Sequence, residues 1–218
     1  MSPAQASSSP PPRRLAALRP FLRGLVACIL LTGLSIAFVD RAFSTWSHAH
    51  LRGIPFFDRL TLIVDPVPWL AAIVLIVAGV AGASGRAAGP AGKTLFACAI
   101  ATAVAIFLKD ELKEFFGRAW PEGWIAGAPS WIGTGTYRFY FFKSGQGYWS
   151  FPSGHMTIIT APMAVLWRRV PRWRWLWAAA IGLVAVGLAG SDYHFIGDMI
   201  AGTFLGMACA AGTLALLR

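Results

Sequence analysis

Charge is what this sequence has least of. Asp, Glu, Lys and Arg make up 13% of its 218 residues, against about 25% in an average soluble domain. Apolar residues reach 56% and mean hydropathy is +0.60, which excludes an ordinary soluble domain and implies an integral membrane protein. Acidic residues are scarcer still, nine against 19 Lys and Arg, for a formal net charge of +10. In a soluble chain that surplus would point to nucleic acid. Here the basic residues sit mainly in short connections between apolar runs, where they report topology, so nucleic acid is not the expected partner. The three cysteines, Cys28, Cys98 and Cys209, all lie inside apolar runs, where a thiol behaves as a small hydrophobe and no disulfide framework is implied. No carboxylate cluster suggests a metal site, so neither metal nor cofactor is expected.

In place of charge there are six apolar segments: Phe21 to Val39, Val67 to Gly85, Thr94 to Leu108, Gly154 to Trp167, Trp173 to Gly190 and Phe195 to Leu217. Crossing a bilayer as helix takes roughly 20 residues. The expected fold is all-α, an integral membrane bundle of six transmembrane helices over residues 21–218 with a periplasmic-side loop region. The third and fourth segments are short, which is tolerable where their polar ends, "KDELKEFFGR" and "PSGH", reach a water-filled site. For the fourth, a re-entrant segment with a kink at Pro162 is the alternative. Residues 1–20, beginning with a Pro-, Ser- and Ala-rich stretch, are expected to form a disordered cytoplasmic tail. Arg13-Arg14 and the "LVAC" ending at Cys28 look like export signals, but Arg23 interrupts the apolar core that such a signal requires, so the segment is expected to be retained.

Lys and Arg in short loops orient the bundle. Arg13, Arg14, Arg19 and Arg23 precede the first span, Arg86 and Lys93 follow the second, and Arg168, Arg169, Arg172 and Arg174 follow the fourth. Those segments and both termini belong in the cytoplasm. The connections Asp40 to Pro66, Lys109 to Ser153 and Ser191 to His194 then face outward, together with the residues able to do chemistry. An Ala-, Gly- and Arg-rich composition suits a bacterial chain, which makes the inner membrane the expected location.

Three outward constellations carry that chemistry. In "SDYHFIGDMIAG", His194 and Asp198 are four apart and share a helix face, so the carboxylate can orient the imidazole. An ionisable residue inside a membrane helix is by default functional, and holding helices together is the plainer alternative. In "SFPSGHMT", Pro152 disfavours helix at Phe151, Ser153 is a good N-cap and Gly154 admits another group to the backbone. Amides at that helix start can seat a phosphate, with His155 beside it. In "LKDELKEFFGRAWPE", Lys109 and Lys113 are one turn apart and Arg118 follows. Snorkelling explains one or two such cations, but not their clustering on the side of both histidines.

The lysine-rich helix end, then "PSGH", then His-x-x-x-Asp, in order and in a membrane chain, resembles the type 2 phosphatidic acid phosphatase superfamily of membrane lipid phosphatases. That family's pattern is Lys, six residues, Arg-Pro; then Pro-Ser-Gly-His; then Ser-Arg, five residues, His, three residues, Asp. The likeness covers roughly Leu95 to Leu217. Two arginines are missing from it: the position before Pro121 is Trp120, and the Ser-Arg pair falls on Gly187 and Leu188. Starting from Lys109 instead would place Phe116 at the first arginine position. Arg118, or Arg138 and Lys143 in "TYRFYFFKSGQGYWS", are the candidate replacements.

The resemblance implies a lipid phosphate substrate and a phosphoryl transfer without metal. His194, oriented by Asp198, would be the nucleophile; His155 would protonate the leaving oxygen and then activate water. Lys113, Arg118, Ser153 and the Gly154 amide would hold the phosphate oxygens, with Arg138 and Lys143 in reserve. Undecaprenyl pyrophosphate, phosphatidic acid, phosphatidylglycerophosphate and a lipid A phosphate all fit. A phosphotransferase using the same histidines and a catalytically inactive membrane scaffold are the competing readings, and a soluble vanadium haloperoxidase is disfavoured by the six spans.

Overall fold

The computed structural model of the chain describes residues 13–217. Residues 1–12 of the expected tail lie outside the described residues. Among those described, the regular elements are helical: α1 (Arg13–Leu34), α2 (Asp40–His50), α3 (Pro55–Thr61), α4 (Pro66–Ala83), α5 (Pro90–Phe116), α6 (Trp131–Thr134), α7 (Gly154–Arg169), α8 (Arg174–Gly190) and α9 (Ile196–Leu216). A π-helical segment, Ser35–Val39, joins α1 to α2, so one continuous helix replaces the outward loop expected from Asp40 onward. The physical reason is that "DRAFSTWSHAH" buries Asp40, Ser44 and Ser47 on one helical face, a polar stripe that a search for apolar runs passes over.

Among the described residues, five helical stretches are long and apolar enough to cross a membrane: Leu18–His50, Pro55–Ala83, Pro90–Phe116, Pro171–Gly190 and Ile196–Leu216. The chain is thus a multi-pass helical membrane protein. The expected fourth span, α7, has 16 residues and falls below that standard. It is the buried centre of the bundle, with Met156, Thr157, Ile159, Thr160, Ala161, Pro162 and Val165 shielded by its neighbours.

Small residues let that centre close. Ala97, Ala101 and Ala105 of α5, Ala161 and Val165 of α7, and Cys209 and Ala210 of α9 form one core. On α9, a Cβ at Gly202 would stand 2.4 Å from the Ser153 carbonyl oxygen, and one at Gly206 would stand 2.7 Å from Thr160 Cβ. This glycine pair, four residues apart, is the small-residue device by which helices approach in lipid, where no hydrophobic drive separates helix from solvent. A second core joins Val64, Met156, Ile159, Val184, Leu188 and Met199. The consequence is positional: α7 and α9 are in close contact from the ends that carry His155 and Asp198 onward.

Candidate active site

α5 ends at Phe116, and Gly117 adopts a left-handed conformation, φ +54°, with its N–H bonded to the Lys113 carbonyl. A side chain there would meet the Tyr140 carbonyl oxygen at 2.3 Å, so glycine is required by both backbone angle and space. The turn lays the following loop over the helix ends. Pro152 then stops any earlier helix, and Ser153 caps α7, its Oγ accepting the Met156 N–H at 3.4 Å. A Cβ at Gly154 would stand 3.2 Å from Lys109 Cδ and 3.6 Å from Lys113 Cε. The glycine therefore lets two lysine stems lie against the start of α7.

These residues border a cavity of about 460 Å³ whose walls include Lys109, Lys113, Gly154 and His155 on one side and Val64, Asp65, Pro68 and Trp69 on the other. Lys113 is 7% exposed, and its Nζ donates to the Trp149 carbonyl at 2.7 Å. Lys109 Nζ donates to Asp110 at 2.5 Å. A larger apolar groove of about 910 Å³, between α1 and α9, contains neither motif histidine.

His155 and His194 face one another with ring centroids 6.2 Å apart. His155 lines the cavity; His194 is 2% exposed and packs against Trp120 and Tyr193, at 5.1 and 5.3 Å between centroids. Burial holds the His194 imidazole below its ordinary pKa, with Asp198 working against that shift. His194 Nδ1 lies 3.5 Å from Asp198 Oδ2 without a hydrogen bond between them. Asp198 itself is fully occupied. Its Oδ2 accepts from Ser150 Oγ at 2.6 Å and the Phe195 N–H at 3.2 Å, and its Oδ1 accepts from Arg118 Nη1 at 2.5 Å.

Arg118, expected at the phosphate, lies elsewhere: its guanidinium, 1% exposed, bridges Asp198 and Asp40, with Nη2 2.7 Å from Asp40 Oδ2 and 2.9 Å from the Tyr137 hydroxyl. Burial opposes its charge, but Asp198 and Asp40 outweigh it and hold the pKa above the ordinary value. Asp40, which sequence reasoning left at the start of a loop, also accepts the Gly197 N–H at 2.9 Å and Ser35 Oγ at 2.6 Å. It thus anchors the N-terminus of α9, where a carboxylate is favoured by the helix dipole. The signal was legible in kind, because an aspartate beside an apolar span, "FVDRAF", is expensive unless paired.

The other two candidate cations stand away from the cavity walls. Arg138 is exposed and lies over Tyr140, 4.3 Å from the ring centroid; Lys143 is exposed and lies 5.6 Å from the Tyr148 centroid. Lys109, singled out with Lys113 but not matched to the family pattern, does line the cavity. The two positions without arginine are filled by packing. Trp120 covers His194 and donates its indole N–H to the Gln146 carbonyl at 2.8 Å. Leu188 belongs to the second core, and a Cβ at Gly187 would stand 2.8 Å from Leu60 Cβ of α3.

The fold defines a class, that of multi-pass helical membrane proteins, here with two histidines, a buried aspartate and paired lysines gathered at helix ends. More particularly, the chain belongs to the PAP2 superfamily, whose model matches residues 92–218, more than half its length. That family is one of phosphatases, and the match contains Lys109, Lys113, Arg118, Ser153, His155, His194 and Asp198 but not Asp40. No curated protein and no solved structure matches the chain.

Proposed function

We propose that the protein is a lipid phosphate phosphatase that hydrolyses a phosphomonoester or pyrophosphate through a phosphohistidine on His194, at the outer face of a bacterial inner membrane. The observation that carries this reading is the two-sided cavity: two lysines and His155 on one wall, and on the other Val64, Asp65, Pro68 and Trp69, the last 75% exposed on a membrane-spanning helix. A phosphorylated headgroup suits the first wall and the lipid chain below it suits the second. His194 attacks phosphorus while His155 protonates the departing oxygen; His155 then takes a proton from the water that displaces the histidine. Lys113, Lys109 and the amides following Ser153 surround the phosphate oxygens. Arg118 acts one step back, holding Asp198 in place beneath His194, so the lysines supply the cationic grip that arginines supply in the family pattern. Arg138 and Lys143 could reach substrate only by movement of their loop.

The test is phosphate release by purified protein from the four candidate lipids. Wild type should release phosphate from at least one, and His194→Ala should lose several orders of magnitude in rate, about 10³-fold or more for a missing nucleophile. Asp198→Asn should leave a trace. Transfer of the phosphoryl group to a second lipid or sugar, with no phosphate released, would make the enzyme a phosphotransferase instead. No turnover on any of the four, with no transfer, would contradict both.

A further inference from the structure

Away from the facing histidines, three segments distant in sequence bring together one imidazole and two carboxylates. His48 stands in the last turn of α2, Glu122 in the loop after α5, and Asp192 in the turn between α8 and α9. His48 Nδ1 lies 3.5 Å from Asp192 Oδ2 and 3.8 Å from Glu122 Oε2, and the three ligand atoms all lie within 4.8 Å of one another.

Asp192 is 2% exposed. Its Oδ1 accepts from Ser44 Oγ at 2.8 Å, but its Oδ2 has no hydrogen-bond partner, and neither has His48 Nδ1. Buried polar atoms are nearly always satisfied, so two orphans aimed at each other call for a third party. The Asp192 backbone is also constrained, with φ +52°, a conformation that aspartate tolerates but does not favour.

We propose that His48, Glu122 and Asp192 form a binding site for a divalent transition-metal ion of the zinc type. Ligands about 2.0–2.2 Å from a tetrahedral ion lie roughly 3.3 Å from each other, which is near the 3.5 and 3.8 Å that separate His48 Nδ1 from the two carboxylates. One imidazole nitrogen with two carboxylates is a borderline donor set that suits zinc, whereas calcium and magnesium require six or more oxygens. Arg52 Nε donates to Glu122 Oε2, the oxygen that would ligate the ion, and its guanidinium lies over Trp124, 4.5 Å from the ring centroid, so the Glu122 ligand is already oriented. The His48 side chain is 35% exposed, which gives the ion a way in.

The site is separate from the phosphoryl chemistry and does not depend on it. Its position has a consequence all the same, since Asp192 lies two residues before His194 and the ion would tie α2 and the loop after α5 to the turn that carries it.

Untagged full-length protein in detergent, treated with EDTA and then freed of chelator, is titrated with zinc chloride, using calcium and magnesium as comparisons. One zinc ion should bind per chain, and calcium and magnesium should not compete. His48→Gln and Asp192→Asn should each weaken binding by more than the 10- to 100-fold, roughly, that loss of a supporting second-shell group produces. His48→Gln is the more tolerant substitution because the side chain is partly exposed, and its thermal unfolding shows whether it has folded. Cobalt should give the intense visible absorption of a tetrahedral site in wild type and lose it in both variants. Absence of zinc binding to wild type, or binding unchanged in folded His48→Gln, overturns the proposal.

Discussion

At the scale of single residues, Arg118 decides how the site is built. Its guanidinium satisfies two buried carboxylates at once, Asp40 and Asp198, and removing one partner from such a group leaves an uncompensated buried charge, at about 3–5 kcal/mol. Arg118→Ala should therefore lower the thermal unfolding midpoint as well as the turnover number. Arg118→Lys should fall nearly as far, because a single ammonium cannot fork to both acids. A variant that lost substrate affinity with its unfolding midpoint unchanged would instead show Arg118 gripping phosphate. Gly154 makes the complementary case. Gly154→Ala places a methyl group against Lys109 Cδ and Lys113 Cε, flexible atoms that can move aside, so stability should hold. Misplaced cations should nonetheless lower kcat/KM by about 10- to 100-fold, and unchanged kinetics would remove the lysines from the phosphate site.

At the scale of elements, the close contact between α7 and α9 fixes the distance between the two halves of the histidine pair. Gly206→Val would force a branched side chain into Thr160 and the Thr157 carbonyl, and overpacking of this kind costs about 1–3 kcal/mol. Thermal unfolding in detergent should register the loss, while Gly212→Val on the same helix, where a Cβ meets nothing within 4 Å, should be nearly neutral. The helices themselves were largely legible: α4, α8 and α9 begin and end within two residues of the apolar segments. The extension of α1 through α2 was not, because its buried face is polar, made of Ser35, Asp40, Ser44 and Ser47. Apolar periodicity is blind to a face whose burial is satisfied by Arg118, Asp192 and the Ala189 carbonyl.

At the scale of the whole molecule, the motifs singled out in the second half of the sequence meet at one end of the bundle. His155, His194, Asp198, Lys113 and Lys109 were singled out by spacing and by the family resemblance. Asp40 and His48 were not, since their partners are brought to them only by the fold. In the proposed topology, read from the distribution of Lys and Arg, that end faces outside the cell. A cysteine introduced at exposed Lys143 should therefore react with an impermeant maleimide on intact cells, whereas one at exposed Arg172 should react only after lysis. The reverse pattern would put the site in the cytoplasm. The central claim is the covalent intermediate, and one measurement addresses it directly. Protein mixed with a lipid phosphate carrying radioactive phosphorus and quenched within a turnover should hold label that survives alkali and is lost in acid, as a phosphohistidine does. His194→Ala should hold none, while His155→Ala, which lacks both the acid for the first step and the base for the second, should gain label slowly and lose it slowly. Rapid phosphate release by wild type with no trapped label, and with His194→Ala retaining its rate, would contradict the account.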